Sequence, residues 1–94
     1  MSDFSKVEIL LKAFASTSRL EIIDCIQKGI TKPGEIALKL NKHRSTIDKH
    51  LKILVEADVV KRVVNPIIED TTISYVLHKN ANVLLATIKH LLNQ

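Results

Sequence analysis

The stretch "GEIALKLNKHRSTIDKHLKILVEADVVKR", residues 34–62, decides how this chain folds. Its apolar residues recur at the three- and four-residue spacing of one helical face, and Asn41 interrupts this pattern. Asparagine tolerates the left-handed conformation of a tight turn. After Asp58 the pattern changes to the β-branched run "VVKRVV". The stretch therefore predicts a helix-turn-helix unit of about residues 32–57, followed by a β-strand.

Further helix signals precede and lie within this unit. A helix is predicted in "STSRLEIIDCIQKG", with Ser16 or Thr17 as its N-cap and Gly29 at its end. Thr31 is predicted to cap the next helix, whose first turn tolerates Pro33. The predicted inner faces of these helices and of the one that follows hold Leu20, Ile23, Ile26, Ile36, Ala37, Leu40, Ile47, His50, Leu51 and Leu54.

The sequence after the helix-turn-helix unit predicts a β-hairpin and a closing helix. The runs "VVKRVV" and "ISYVLH" are separated by "NPIIEDTT", which contains a proline and turn-forming residues. This pattern predicts a two-stranded wing of about residues 59–78 with a long loop. Asn80 is predicted to cap a last helix of about residues 80–92. The fold class is mainly α with a small β-hairpin, a winged helix-turn-helix in a single domain of residues 1–94.

The first and last helices, about residues 3–15 and 80–92, carry more apolar residues than one stripe requires. Leu84 and Leu85 cannot share one narrow face, because neighbours in a helix point in different directions. Such an excess predicts a homodimer interface, and a broad face that covers a small core is the alternative. The candidate interface residues are Val7, Leu10, Leu11, Phe14, Leu84, Leu85, Ile88, Leu91 and Leu92.

Composition narrows the function further. The chain of 94 residues is 46% hydrophobic and 26% charged, which is typical of one small folded domain. The N-terminal segment lacks the pattern of a signal peptide, and no apolar run is long enough to span a bilayer, so we expect a cytoplasmic, intracellular protein. Cys25 is the single cysteine, which excludes an intramolecular disulfide. It is interpreted as a small core thiol, with an intersubunit disulfide as the alternative.

Positive charge is concentrated in the middle of the chain. The formal net charge is +4, yet residues 28–62 contain nine cations and four anions, so this segment alone carries +5. The remaining residues therefore sum to −1. Clustered positive charge is a footprint of nucleic acid or of another polyanion, although a solvated lysine-rich face gives the same pattern.

The order of these elements resembles the winged helix-turn-helix regulators of the ArsR and MarR type, with the ArsR group nearer. "FASTSRLEIIDCIQKG" is similar to that family's "LADPTRLRILELL" segment, and residues 34–62 are similar to its "GELAEALGLSQSTVSRHLKVLREAGLV" segment. "SYVLHKN" and the apolar helix after it resemble the family's wing strand and closing helix. The resemblance implies a DNA-binding transcription regulator, a repressor, that dimerises through its terminal helices.

The chain departs from the family pattern at several positions. Asp58 stands where the family usually has Gly, and His43 stands at a helix cap that is usually Ser or Thr. The wing tip, usually basic, is acidic here. The Cys-x-Cys pair of the metal-sensing members is absent from residues 31–34, and the last helix has only His90 of the acid and His ligands that other members use there. We therefore expect no metal and no cofactor.

Ser45, Asp48 and His50 invite a catalytic interpretation, which helix geometry opposes. The three lie within six residues of one predicted helix, where side chains two positions apart point to different faces. A nucleophile, its base and an orienting acid must instead converge on one another. His50 is expected to be a packed histidine on the apolar face. The scattered histidines at positions 43, 78 and 90 do not form a ligand set.

The opposite face of the same helix favours DNA binding. Residues at the N-terminal end of a recognition helix reach base edges in the major groove. Arg44 can donate two hydrogen bonds to guanine, and lysines suit phosphates. Asp48 is repelled by phosphate unless it accepts from cytosine or is neutralised by Arg44. The candidate DNA-binding residues are Lys42, His43, Arg44, Ser45, Thr46, Asp48, Lys49, Lys52, Lys61 and Arg62.

These expectations define two hypotheses from different classes. The first is a homodimeric, sequence-specific regulator of double-stranded DNA, a repressor that reads an inverted repeat and is not an enzyme. The second is a winged-helix protein-interaction module without DNA binding, which Asp48 and the acidic wing tip favour. At that tip, Glu69 and Asp70 are expected to avoid phosphate. Ile67 and Ile68 are expected to pack on the protein, with contact to a partner or to a groove as alternatives.

Overall fold

A computed structural model describes residues 3–67 and 70–93 of the chain. Helices make up most of these residues, and one antiparallel pair of strands precedes the last helix. This architecture confirms the winged helix-turn-helix fold. In chain order the elements are α1 (Phe4–Phe14), α2 (Thr17–Gln27), α3 (Pro33–Leu40), α4 (Arg44–Glu56), β1 (Val60–Ile67), β2 (Asp70–Leu77) and α5 (Lys79–Leu92).

Aliphatic side chains from α2, α3 and α4 form the centre of the core. These three helices pack on one another, and β1 and β2 pack against them from one side. The periodic apolar residues of the sequence lie where the helical pattern predicts, on the inner faces. Seven side chains are fully buried: Ile22, Ile23, Ile36, Ile47, Leu51, Leu54 and Val59.

The three central helices end in the same backbone motif, which sets the angle at which the next element leaves. Gly29, Asn41 and Asp58 follow these helices with φ angles of 88°, 54° and 57°, in the left-handed region. After each of them the next amide donates back into the helix, as when the Val59 amide donates to the Leu54 carbonyl at 2.9 Å. The prediction for Asn41 is confirmed. Asp58 adopts the conformation for which Gly is the usual residue, since Asp tolerates positive φ better than most residues.

The predicted helix starts are confirmed in one case and wrong in two. Ser16 caps α2 through a hydrogen bond from the Arg19 amide to its Oγ at 3.2 Å. The N-cap of α3 is Lys32 rather than Thr31, because Pro33 occupies the first helical position, where its missing N–H costs nothing. The N-cap of α5 is His78 rather than Asn80; the His78 ring accepts from the Asn80 amide at 3.1 Å.

The strands of the wing are longer, and its loop is shorter, than the sequence pattern suggests. Its register pairs Val60 with Leu77 and continues as far as Ile67 opposite Asp70, so most of the predicted loop is strand. Pro66 fits because each strand of a two-stranded sheet has a free edge. The wing is attached to the core where the Tyr75 amide donates to the Thr31 carbonyl at 3.0 Å. Ile68, Glu69 and the side chains of Ile67 and Asp70 fall outside the described part of the chain, so the expectations for the wing tip stay predictions.

The terminal helices lie against the core by only a small part of their surfaces. Of its eleven residues, α1 buries Ala13 and Phe14, at its C-terminal end. The fourteen residues of α5 include two that are buried, Ala81 and Leu85. Each terminal helix thus presents most of its length to solvent.

Candidate nucleic-acid interface

The outer face of α4 carries the polar and cationic residues that the sequence predicts for DNA contact. Its inner residues Ile47, Leu51 and Leu54 are buried, which turns the intervening positions to solvent. Lys42, just before α4, is partly buried. The predicted contact residues of this region that lie exposed are His43, Arg44, Ser45, Thr46, Asp48, Lys49 and Lys52.

The start of α4 is open, because its N-cap residue does not use its side chain. His43 has extended backbone with φ −63° and ψ 141°, and its ring accepts no hydrogen bond from the first turn. The His43 carbonyl accepts from the amides of Thr46 and Ile47 at 3.0 and 3.2 Å, which starts the helix. The usual side-chain cap is therefore missing at the end of α4 where base-reading residues lie in helix-turn-helix proteins.

Arg44 and Asp48 form an ion pair along the exposed side of α4. The Arg44 Nε donates to Asp48 Oδ1 at 3.1 Å, and the two side chains remain 58% and 51% exposed. The guanidinium lies beside α3, where a Cβ added to Gly34 would be 3.7 Å from Arg44 Nη1. The pairing that the sequence suggested is therefore present, and it neutralises Asp48.

Lys49 and Lys52 form no ion pair within the described ranges. By contrast, Lys28 pairs with Asp24 at 2.9 Å, and Lys12 pairs with Glu8 at the same distance. The Lys28–Asp24 contact is also the main reason why the pKa of Lys28 is raised. Lys49 and Lys52 therefore keep unpaired positive charge on the exposed side of α4.

The two basic residues of the wing, Lys61 and Arg62, are both exposed on β1. They are adjacent in a strand, so their side chains leave opposite faces of the hairpin. Val60 shares the face of Arg62 and is buried in the core. Lys61 therefore projects from the outer face of the wing, and Arg62 from the face that continues the core.

His50 is held by a residue that the sequence analysis did not select. The Arg19 Nη1 of α2 donates to His50 Nδ1 at 3.2 Å. The same guanidinium donates from Nε to the Ala13 carbonyl at 2.8 Å and from Nη2 to the Lys12 carbonyl at 2.9 Å. Burial, and then the charges of Arg19 and Lys42, lower the pKa of His50 and favour the neutral ring that accepts this bond. Arg19 thus joins the end of α1 to the middle of α4.

No signal in a single sequence marks this role for Arg19. Its contacts are with two backbone carbonyls and with a ring 31 positions away. Helical periodicity places Arg19 near the start of α2 and nothing more. The expected packing of His50 is found, but its hydrogen-bond partner depends on the tertiary arrangement.

The arrangement contains no catalytic triad of Ser45, Asp48 and His50. Asp48 pairs with Arg44, and the His50 ring faces Arg19 on the other side of the helix. Ser45 is exposed. Because the acid and the base are held by different partners, neither can orient or activate the serine hydroxyl.

The predicted interface residues of the terminal helices divide into two groups. Phe14 and Leu85 lie in the core of the chain, at 9% and 7% exposure, and Leu10 and Leu84 pack partly against it. The others project into solvent, together with three apolar residues that were not selected: Phe4, Ile9 and Val83. The exposed candidates are Val7, Leu11, Ile88, Leu91 and Leu92.

The described residues do not favour a reactive thiol, a metal site or a membrane-spanning helix. Cys25 lies in the core, where burial, as the largest cause, raises the pKa of its thiol, so the thiol is a packing group. No group of three or more His, Cys, Asp or Glu side chains in residues 3–67 and 70–93 is arranged to hold a metal ion. None of the helices in that part of the chain is long and apolar enough to cross a membrane.

One model of a known protein family matches this chain. The family model described as bacterial regulatory protein, arsR family, matches residues 16–62, which is half of the 94 residues. The matched segment contains α2, α3, α4 and the start of β1, and therefore the whole candidate interface. No curated protein sequence matches the chain.

Solved structures share the fold at low sequence identity. HlyU from Vibrio cholerae N16961 is 23% identical, with a TM-score of 0.73 and coverage of 99% of this chain and 98% of that one. A homodimeric winged helix-turn-helix DNA-binding domain from Mycobacterium bovis, a possible ArsR-family transcriptional regulator, is 20% identical with a TM-score of 0.80. This second match covers 99% of the present chain and 88% of the other.

Proposed function

We propose, from the premise that this chain belongs to the ArsR family of bacterial regulatory proteins, that it is a sequence-specific repressor that binds double-stranded DNA as a homodimer. In this proposal α4 is the recognition helix and lies in the major groove. The dimer reads an inverted repeat and represses by occupying the DNA that the transcription machinery needs.

The observation that carries the proposal is the exposed cationic face of α4. Lys49 and Lys52 are exposed and unpaired on the helix that directly follows the helix-turn-helix turn. Their ammonium groups can neutralise phosphates on either side of the groove without reading sequence. Because the buried face of α4 is packed against α2 and α3, the orientation of this charged face is fixed before DNA is bound.

Sequence selectivity is assigned to the first turn of α4. Arg44 offers the two parallel donors that match the O6 and N7 acceptors of guanine. Ser45 and Thr46 are exposed beside it and can contact a base or a phosphate. The uncapped first-turn amides next to His43 add donors for a phosphate.

The terminal helices support the dimer. Phe4 on α1 is 79% exposed and Leu92 on α5 is 78% exposed, and both belong to longer series of exposed apolar side chains. Burial of apolar area is the main driving force of such association. The Mycobacterium bovis domain with this fold is described as homodimeric. A two-fold dimer presents α4 twice, so the preferred site should be an inverted repeat with half-sites about one helical turn apart.

The test is a selection of duplex DNA from a random pool by the purified protein. An inverted repeat should emerge, and binding to it should depend on salt. If the dimer neutralises about six to ten phosphates, affinity should fall by about 10³ to 10⁵ between about 50 and 200 mM salt. A reporter gene placed behind the selected site should lose expression when the protein is present; a gain of expression would contradict repression.

Substitutions on α4 should separate base reading from phosphate contact. Arg44→Ala should cost about 1–3 kcal/mol on the preferred site and relax its sequence choice. Lys52→Ala should weaken binding to all duplexes alike and lower the salt slope by about one. Lys6→Ala, which removes an equal charge from exposed α1, is the control and should change neither quantity. Unchanged affinity in Arg44→Ala/Lys49→Ala would show that α4 is not the recognition helix.

A protein-interaction module remains the competing hypothesis. The observation in its favour is Leu38 on α3, which is 84% exposed beside the Arg44 side chain and is not a residue that DNA contact requires. If the protein retains no duplex from the random pool at low salt, while remaining folded and dimeric, this hypothesis replaces DNA binding.

A further inference from the structure

We infer that Asp48 is a specificity-determining residue that acts through Arg44: its carboxylate orients the Arg44 guanidinium to read a guanine in the major groove. This inference rests on the proposed function of α4 as the recognition helix. It assigns a role to a carboxylate among the candidate DNA-contacting residues of α4, which otherwise opposes binding to phosphate.

The geometry of the ion pair leaves the correct donors free. A guanidinium has five N–H donors in a rigid plane: one on Nε and two on each Nη. Asp48 Oδ1 accepts from Nε at 3.1 Å. Within residues 3–67 and 70–93, neither Nη of Arg44 donates a hydrogen bond. The end of the fork thus keeps the two parallel N–H groups that match guanine O6 and N7.

Asp48 and α3 flank the guanidinium on two sides and favour this arrangement. Asp48 lies one helical turn after Arg44 and occupies the Nε side of the guanidinium. A guanine therefore approaches the end that carries Nη1 and Nη2. On the other side, α3 approaches at Gly34, where an added Cβ would be in van der Waals contact with Nη1 at 3.7 Å. An arginine held in this way loses less conformational freedom on binding than a freely rotating one.

The pair also suppresses binding to the wrong DNA. With Asp48 present, Arg44 brings no net charge to phosphates, so it contributes little to binding where no guanine is available. On a site with guanine in position, the two Nη groups gain hydrogen bonds while Nε keeps its own. Asp48 therefore increases the ratio of specific to nonspecific affinity, which is the quantity that matters among many competing sites.

The experiment compares the selected duplex with duplexes in which single guanines are replaced by 7-deazaguanine, which lacks the N7 acceptor. The wild-type protein should lose about tenfold or more in affinity at one guanine of each half-site. Arg44→Ala should show no such loss. Asp48→Ala should reduce it to about twofold or less, and Asp48→Asn, whose amide oxygen can still accept from Nε, should retain part of it.

Two further variants establish that Asp48 acts through Arg44. Glu56→Gln removes one negative charge from the exposed end of α4, away from Arg44, and is the matched control for Asp48→Asn. It should keep the full sensitivity to 7-deazaguanine. In Arg44→Ala, the further change Asp48→Ala should leave sensitivity to 7-deazaguanine where it is, since no guanidinium remains to be oriented.

The outcomes separate this inference from the proposed function. If Asp48→Ala binds every duplex more tightly and keeps full sensitivity to 7-deazaguanine, Asp48 is only a repelled charge and the inference is wrong. If replacement of one cytosine, rather than of any guanine, distinguishes wild type from Asp48→Ala, Asp48 reads the base itself and the inference is again wrong. If the wild-type protein binds no duplex, the proposed function fails, and this inference with it.

Discussion

The helix-turn-helix unit of this chain buries a larger share of its residues than the terminal helices do. Helices α2, α3 and α4 bury ten residues among their thirty-two, whereas α1 and α5 bury four among twenty-five. The central unit therefore has its own core, and its exposed face is mainly polar, although Leu38 on α3 is 84% exposed. The terminal helices expose apolar side chains, which a second copy would cover in the proposed dimer.

This difference explains why the two regions should respond differently to the same substitution. A change in the central core should reduce the stability of the chain itself. A change on the exposed faces of α1 or α5 should leave the fold intact and alter assembly. Three experiments test this difference between the two regions.

The largest change in stability is expected when an aspartate is placed at one of two positions of α5, Leu85 or Ile88, in separate variants. Leu85→Asp should lower the free energy of unfolding by on the order of 3–5 kcal/mol, because Leu85 is 7% exposed and an unpaired charge would be buried there. Ile88→Asp, at a side chain 39% exposed, should give a folded monomer whose unfolding free energy changes by about 0.5 kcal/mol or less.

Circular dichroism and analytical ultracentrifugation measure both outcomes. If Ile88→Asp unfolds as Leu85→Asp does, α5 belongs to the monomer core. If it stays dimeric at micromolar concentration, the interface lies elsewhere.

An intermediate effect is expected at the ends of the helices. Asp58→Val should destabilise by about 1–2 kcal/mol, since a β-branched residue is disfavoured at a φ of 57°. Asp58→Gly should be about as stable as wild type, because it relieves the strain but frees the unfolded chain. Ala15→Val, at the end of α1 with a φ of −85°, is the matched change in a terminal helix and should cost much less.

Urea unfolding of the three variants measures their free energies of unfolding and checks the predicted order of stability. Equal losses for Asp58→Val and Ala15→Val would mean that backbone conformation does not distinguish the two regions.

The smallest change in stability is expected from pH. It arises at His50, whose partner Arg19 also binds the end of α1. Burial lowers the pKa of His50 in the folded chain, and unfolding returns the ring to its usual value of about 6.5. Between these values the unfolded chain binds more protons, so stability falls as pH decreases below about 6.5. His50→Gln keeps an acceptor for Arg19 but does not titrate, and its stability should decline less over the same range.

The measurement is the free energy of unfolding at about pH 7.5 and about pH 5.5, for wild type and His50→Gln in parallel. A difference of the opposite sign, with wild type gaining stability in acid relative to the variant, would show that His50 is charged in the folded state.

The sequence predicted the central unit better than its surroundings, and the physical reason is local. Periodic apolar residues and a residue such as Asn41 report on helices and turns through short-range geometry. The division of terminal residues into buried Phe14 and exposed Leu11 depends on which side the core approaches, which periodicity does not encode. The contact of Arg19 with His50 joins positions 31 residues apart, which local patterns do not predict either.

In the candidate site, too, the features that depend on short-range spacing could be predicted from the sequence. The exposure of Arg44, Lys49 and Lys52 follows from the buried positions between them, so sequence periodicity predicts it. The ion pair of Arg44 with Asp48 was suggested by their spacing of four. The distribution of Lys61 and Arg62 over two faces of the wing could be derived only after the strand was located.

The three bonds of Arg19 also bear on the conformational entropy of assembly. Arg19 fixes α1 at its C-terminal end through the carbonyls of Lys12 and Ala13. An incoming partner would therefore meet a helix whose direction is already set, and only the turns near Phe4 would lose freedom. Ordering a backbone residue costs about 1–2 kcal/mol, so anchoring one end in advance reduces the cost of association. In monomeric Ile88→Asp, amide exchange should accordingly slow along α1 from Phe4 towards Phe14, and uniform exchange would contradict this anchoring.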